Sequence, residues 1–426
     1  MSSFAPPISR RLTTARALAV AALCMVPVST ALTNVFCALF AVAALSAPEF
    51  WRGLPKLHRQ PAALAALLLL ATLAASVAYS VAPARSAWEW IGKYDKLLLL
   101  PFAVLAFRDA TPDWRAITRW SLFSTLVLIL LLSTTNFLGL TAIGPAHKMS
   151  LPLSRAWVFK NHIAAGMFGA LLFYQAADMM LAARTSRARF VFCAIVALSL
   201  VDVFVMLQGR TGQVIALLLM AVIGLRIFIA ARRRSSRLAA LTVVLFVALA
   251  AAVVGMLATM HGGRLMQVGT EVQQYEQSDA ATSSGLRLDW YKRALQLYTA
   301  RPLIGYGAGG LGVEFQKLSA GKTLADAKLT ENPHNEYLLM AVQLGTLGLV
   351  LFVNLLVRVW AGSRTLDARS RHLLLAWLTI FAIGSLANSL LLDFAEGHML
   401  VLLAGILIGC GWRTDGAAQA TSAARA

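Results

Sequence analysis

Apolar runs long enough to cross a lipid bilayer as helices recur from one end of this chain to the other. A helix needs about 17–25 residues to traverse the hydrocarbon core. The runs lie near 15–31, 32–48, 62–82, 93–107, 118–138, 161–183, 190–207, 213–231, 238–259, 335–357, 372–392 and 396–412, the second, fourth and last being short. With 59% hydrophobic and 13% charged residues and a mean hydropathy of +0.70, the chain carries more apolar surface than a soluble fold can cover. The expected fold class is an all-α polytopic membrane protein with about 12 transmembrane helices.

A formal net charge of +19 raises nucleic acid as a partner, and the placement of the basic residues argues against it. Arg10, Arg11 and Arg16 precede the first run, and Arg52, Lys56 and Arg59 follow the second. Further groups are Arg108 with Arg115, Arg184 with Arg187 and Arg189, Arg232 to Arg234 with Arg237, Arg358 with Arg364, Arg369 and Arg371, and Arg413. Basic residues in alternate loops are what the positive-inside rule demands, with both chain ends cytoplasmic. The N-terminal "ALAVAALCMVPV" followed by "VSTA" also fits a cleavable signal peptide. Because a second apolar run follows at once, an uncleaved signal anchor is expected. Cys24, Cys37, Cys193 and Cys410 all fall in predicted spans, so no disulfide framework is implied.

The pattern divides the chain into nine spans over residues 1–259, a long non-cytoplasmic loop over 260–334, three spans over 335–412, and a cytoplasmic tail over 413–426 expected to be disordered. A structureless segment as long as 260–334 is improbable in a compact protein, so short helices are expected within it. From Leu286 to Tyr298 apolar residues recur at helical spacing (Leu286, Trp290, Ala294, Leu297), with Ser283 or Ser284 as plausible caps and Pro302 as a stop. That amphipathic helix lies on the bilayer surface or packs over the spans.

Arg155, Lys160, Arg210, Arg264, Arg287, Lys292, Arg293 and Arg301 break the charge rule, being basic on the face that normally has few such residues. Arg210 stands out, because "LQGRTGQ" is a tight connection between two spans. Each could snorkel to lipid phosphates or pair with Asp202, Glu271 or Asp289. As a group they point to a lipid diphosphate, whose oxygens planar guanidinium groups grip in two-point contacts. "GYGAGGLG" is not a nucleotide phosphate loop, since no strand precedes it and no Gly-Lys-Ser/Thr follows; a flexible turn is expected.

In "NPHNEYLLMAVQLG", Asn332 is a plausible N-cap and Pro333 suits the first helical position, which puts His334 in the first turn of the re-entering helix. A helix N-terminus attracts anions and biases an imidazole towards its neutral, proton-accepting form. Position alone supports a general base and a plain cap equally. His147, His162, His261, His334 and His398 map to this face without the spacing of a helical metal site, so no metal or other cofactor is expected. Asp393, in "LLLDFAEGHML", could orient a histidine or an acceptor hydroxyl, or be a solvated turn carboxylate.

The order "GLRLDWYKRAL", "RPLIGYGAGGLGVEF", "NPHNEYLLMAVQLGTLGLV", with "GRTGQ" between two spans and "FKNHIAAGMF" opening another, resembles the O-antigen ligase and O-antigen polymerase superfamily, most strongly over 280–350. The resemblance implies a membrane glycosyltransferase of the inner membrane whose long loop and active site face the periplasm. Its donor would be an undecaprenyl-diphosphate-linked glycan and its acceptor the lipid A-core oligosaccharide. It matches the essential loop histidine to His334, the arginine of the loop's helix to Arg287, and the arginine of the short loop to Arg210, where the common Ser-Arg-Gly is Gly-Arg-Thr. Arg264 matches by position only. Arg155, Lys160, Asn161, Asn332, Asn335, Tyr337 and Asp393 complete the expected substrate contacts. The rivals are an O-antigen polymerase, a protein O-oligosaccharyltransferase and, from another class, a secondary transporter, although no internal repeat supports the last.

Overall fold

The computed structural model describes residues 9–148, 154–237, 267–278, 282–319 and 330–413, with a few single positions between 238 and 255. The expected ninth span, Arg264, His261 and the tail beyond residue 413 lie outside the described residues. The helices, in chain order, are α1 (Arg10–Met25), α2 (Thr30–Leu45), α3 (Pro48–Gly53), α4 (Pro61–Ala75), α5 (Ala84–Gly92), α6 (Leu99–Phe107), α7 (Asp113–Phe137) and α8 (His162–Ala182). They continue as α9 (Ser186–Val201), α10 (Arg210–Arg232), α11 (Gln267–Ser278), α12 (Ser283–Ala300), α13 (Gly310–Ser319), α14 (Glu336–Gly362), α15 (Ala368–Gly384) and α16 (Phe394–Gly411). No strand occurs among the described residues.

Seven of the described helical stretches are long and apolar enough to cross a membrane, or eight if the bent pair Thr30–Leu45 and Pro48–Arg59 is one span. The count of about 12 expected from the apolar runs is therefore not reproduced. The run near 93–107 shows why. Its helix α6 has nine residues, about 14 Å of rise against a hydrocarbon core of about 30 Å. Seven of those residues are buried, so its apolarity serves a protein core rather than lipid.

The chain forms two compact units, one of residues 1–122 and 287–426, the other of 123–286. In the first, α1 pairs with α2, α6 packs on α16, and α4 packs along α14. Several arginines credited to orientation are structural here. Arg16, buried, donates to the carbonyls of Ala106 at 2.8 Å and Arg108 at 3.0 Å, closing the end of α6. Arg115 donates to Cys410 O at 2.7 Å, near the end of α16.

The helix α14 is broken at Gly345 (φ 66°, ψ −157°). The backbone groups freed there are taken up by the turn that follows α12. Tyr306 N–H donates to Val342 O (2.9 Å) and Gly307 N–H to Gln343 O (2.8 Å), while Thr346 N–H donates to Pro302 O (2.7 Å). The glycine-rich segment is thus a docked plug and not the flexible turn expected from composition. A Cβ on Gly305 would lie 2.3 Å from Val342 O, and one on Gly345 would lie 2.3 Å from Leu303 O. Only glycine allows both the left-handed backbone and this approach.

In the second unit, α8 and α10 cross where a Cβ on Gly212 would lie 2.8 Å from Gly166 Cα, a small-residue contact that lets the backbones approach. Asp202 opens a π-helical turn at the end of α9, is buried, and accepts from Ser133 Oγ at 2.6 Å. Arg226 pairs with Asp178 at 2.7 Å. Of the four polar residues within spans that are expected to face the interior, Asp202, Gln343 and Asn388 are buried and Asn354 is half-buried.

The plugged break predicts that Gly345→Ala costs about 2 kcal/mol or more, from left-handed backbone strain and from a methyl driven into Leu303. Gly92→Ala, where nothing lies within 4 Å of an added Cβ, should be close to neutral. Thermal unfolding of the two full-length variants in detergent checks this.

Candidate active site

The histidine at the rim is not in a helix. The N-cap of α14 is Asn335, whose Oδ1 accepts from Leu338 N–H at 3.1 Å. Asn332 is therefore not the cap, and Pro333 does not open the helix. Asn332 instead folds back locally, with its Oδ1 accepting His334 N–H at 2.8 Å and Ser389 Oγ at 2.6 Å. His334 itself has φ 53°, a left-handed conformation that costs a non-glycine residue about 1 kcal/mol or more. Asx-type bonding by a short polar side chain outcompetes helix nucleation across these residues.

The conformation is held from outside as well. Tyr291 of α12 directs its hydroxyl at His334 O (3.2 Å) and Leu386 O (2.9 Å), and Asn335 Nδ2 donates to Leu386 O at 3.0 Å. Trp290 lies against the imidazole, with ring centroids 5.1 Å apart. Among the described residues neither ring nitrogen of His334 is engaged in a hydrogen bond. The ring is half-buried, and its pKa is pushed below the ordinary value by burial first and then by the Arg287 charge. The neutral form expected from a helix terminus is thus secured by desolvation and a neighbouring cation.

The helix α12 starts at Ser283, so the cap is neither Ser283 nor Ser284; Thr282 Oγ1 accepts Gly285 N–H at 3.1 Å. Of its expected apolar stripe, Ala294 and Leu297 are buried, and Arg293 joins them, paired with Asp289 at 2.7 Å. Tyr291 ties this helix to the connections at His334 and Leu386.

Below the rim lies a charged network that sequence reasoning passes over. Glu336 is fully buried, and its Oε2 accepts from Leu391 N–H (2.8 Å) and Leu392 N–H (3.2 Å). Lys96, also buried, donates from Nζ to the carbonyls of Leu391 (3.0 Å), Leu392 (3.1 Å) and Asp393 (2.8 Å). Anion and cation grip the same turn by its opposite polar groups. Burial raises the Asp393 carboxyl above the usual range, with the Lys96 charge opposing. The available signal was a lysine inside an apolar run, "YDKLLLLP", since a buried ionisable group demands a partner. Tyr337 points elsewhere, donating to Ala382 O at 3.0 Å.

The second unit holds Arg210, Arg155, Lys160 and Asn161. Arg210 opens α10, preceded by Gln208 at φ 51°. Its guanidinium makes a two-point contact with Glu271 of α11, Nη1 to Oε2 at 2.9 Å and Nη2 to Oε1, and donates to Ser284 Oγ at 2.9 Å. The fork is closed on a carboxylate of the chain itself, one of the pairings the sequence left open. Asn161 caps α8, accepting from Ile163 and Ala164 N–H at 3.1 Å, and Arg155 accepts at its carbonyl from the His147 ring at 2.8 Å.

A model of the O-antigen ligase family matches residues 194–353, which include Arg210, Glu271, Arg287 and His334. Over this segment, somewhat more than a third of the chain, the sequence is similar to the O-antigen ligase family. The matched segment carries both the plugged helix and the rim histidine. Among curated proteins none matches the chain.

Arg210 holds the Glu271 carboxyl at about 2, below its ordinary 4.5. A depressed acid contributes stability above its unfolded pKa and loses it as pH falls through the folded one. The difference in Tm between the wild type and Glu271→Gln should therefore be largest at neutral pH and close as pH falls from 4.5 to about 2. A difference independent of pH would mean that the pair contributes nothing to folding.

Proposed function

We propose that this protein is an O-antigen ligase that transfers a glycan from undecaprenyl diphosphate to the lipid A-core oligosaccharide on the periplasmic face of the inner membrane. The observation that carries the reading is His334: an imidazole held neutral by burial and the Arg287 charge, unbonded at both ring nitrogens among the described residues, inside the family-matched segment.

His334 takes the proton of an acceptor sugar hydroxyl as its oxygen attacks the anomeric carbon of the donor. The bond from that carbon to the diphosphate oxygen breaks, and undecaprenyl diphosphate leaves with the electron pair. One displacement inverts the anomeric centre. Arg287, Arg210 and Arg264 hold the diphosphate and stabilise the charge it gains, which is the task a metal performs elsewhere. For Arg210 this requires exchange, with phosphate oxygens replacing Glu271 on the guanidinium fork. Asn332, Asn335 and Asp393 shape the rim where the acceptor sits, while Arg155, Lys160 and Asn161 serve as outer contacts to the two substrates; Tyr337, bonded to Ala382 O, is left out of the site.

The test is a reconstituted reaction of purified protein with undecaprenyl-diphosphate glycan and rough lipopolysaccharide, without nucleotide and with chelator present. Wild type should shift the mobility of the lipid A-core. His334→Ala should lower transfer by about 10²-fold or more with donor binding retained, and near-normal turnover would end the base assignment. Longer glycan on the carrier with no shift would identify a polymerase.

Two-point phosphate contact makes a second outcome specific: Arg287→Lys should be nearly as inactive as Arg287→Ala. Full rescue by lysine would mean that only the charge matters.

A further inference from the structure

At the end of the first unit away from His334, two cavities adjoin through the shared lining residues Pro61 and Arg358. An open groove of about 610 Å³ lies between α4 and α14, lined by Leu64, Leu67, Leu68 and Ala71, with Asn354 and Arg358 on the facing helix. A second cavity of about 440 Å³ shares Pro61 and Arg358 with it and adds Arg59, Trp412 and Arg413. Among the described residues no carboxylate lines either cavity. Arg358 stands on α14 22 residues after Glu336 and beyond the break at Gly345, in the half of the helix away from His334.

We infer that these adjoining cavities bind one anionic diacyl phospholipid, with its phosphate among Arg59, Arg358 and Arg413 and an acyl chain in the groove. Three features select this occupant. The groove follows α4 from Pro61 to Ala71, about 15 Å, which is half the hydrocarbon thickness and thus the depth of one leaflet. Its lining leucines, Leu64 and Leu68, are exposed at 40% and 52%, so the groove is open along the membrane-facing side of a span. The headgroup end carries three guanidinium groups that outnumber any charge on a zwitterionic lipid, beside an indole of the kind that sits at the membrane interface. Arg358 is already oriented, its Nε donating to Asn354 Oδ1 at 3.2 Å, a contact that uses neither terminal nitrogen. A soluble anion would use the basic pocket alone, and a neutral lipid the groove alone. Only an anionic lipid uses both. The site takes no part in the proposed transfer chemistry, which lies at the other end of α14.

The test uses the full-length protein in a nonionic detergent, titrated with phosphatidylglycerol and read by native mass spectrometry and by Tm. Saturable retention of one lipid and a rise in Tm are expected. Arg358→Gln with Arg413→Gln should weaken that binding about tenfold or more. Ala71→Phe, which fills the groove without touching a charge, should weaken it comparably. Each variant should keep the lipid-free Tm of the wild type, and if the arginine pair does not, the Ala71 variant decides. An equal shift with phosphatidylcholine would overturn the proposal in favour of general lipid solvation, and an equal shift with inorganic phosphate in favour of a bare anion site. Unchanged phosphatidylglycerol binding by both variants would place the lipid elsewhere and sink it.

Discussion

A helix that breaks inside a membrane protein must find partners for the backbone groups it releases, because lipid offers none. In this chain the break at Gly345 is met by the turn after α12, which returns backbone donors and acceptors one for one. The consequence reaches the rim. Tyr298 bonds to Thr346 Oγ1 at 2.8 Å beside the plug, and Tyr291 bonds to His334 O at the other end. The helix α12 is thereby pinned at two points, to the turn that precedes α14 and to Thr346 beyond its break, and the register places Trp290 against the imidazole. The loop that carries Arg287 is consequently anchored to the helix that follows His334.

The same logic of enforced partnership governs the charges beneath. A lysine and a glutamate buried in an apolar bundle are costly unless every polar group is matched. Lys96 and Glu336 are matched through the backbone of residues 391–393, whose carbonyls and amides they divide between them. That turn precedes α16, and through Ser389 and Leu386 the same connection holds Asn332 and Asn335. The rim therefore rests on a network whose members come from the run near 93–107, the start of α14 and the α15–α16 connection.

Much of this was legible in the sequence, and the failures have physical causes. Periodicity located α12, most of the spans and the interior orientation of Asp202, Gln343 and Asn388, because those features follow from local pattern alone. The number of spans is less legible, because an apolar run reports burial without saying whether lipid or protein covers it, as α6 illustrates with only nine residues. His334 was found from its place beside polar residues, but its backbone was misread. Capping propensities favour Asn332 and Pro333, whereas the long-range contacts from Tyr291 and Ser389 that hold the observed turn leave no local trace. Glycine composition suggested mobility for residues 305–312, when close approach to α14 was the reason for glycine. Lys96 and Glu336 were on view as charges next to apolar runs, yet their partners are backbone groups that no spacing rule reveals. Glu271 was named as one of three possible partners for the arginines, and only coordinates could choose among them.

The identity of the partners bears on which residue does what. A histidine meant to hold an anion would gain from being charged, and a neighbouring carboxylate would favour that form. His334 has the opposite surroundings: it is desolvated, faces an indole, and feels the positive charge of Arg287. Such an environment disfavours the imidazolium before reaction and leaves a nitrogen lone pair available. Arg287 gives up nothing by this arrangement, because a guanidinium stays charged under any condition the protein meets. In the proposed transfer the division of labour follows directly: the arginines carry permanent charge for a leaving group that becomes more negative, and the histidine carries the proton. In that proposal the negative charge of the bound diphosphate opposes that of Arg287 and makes the imidazole a stronger base as a hydroxyl is deprotonated, so that donor binding and base activation are coupled through a single cation.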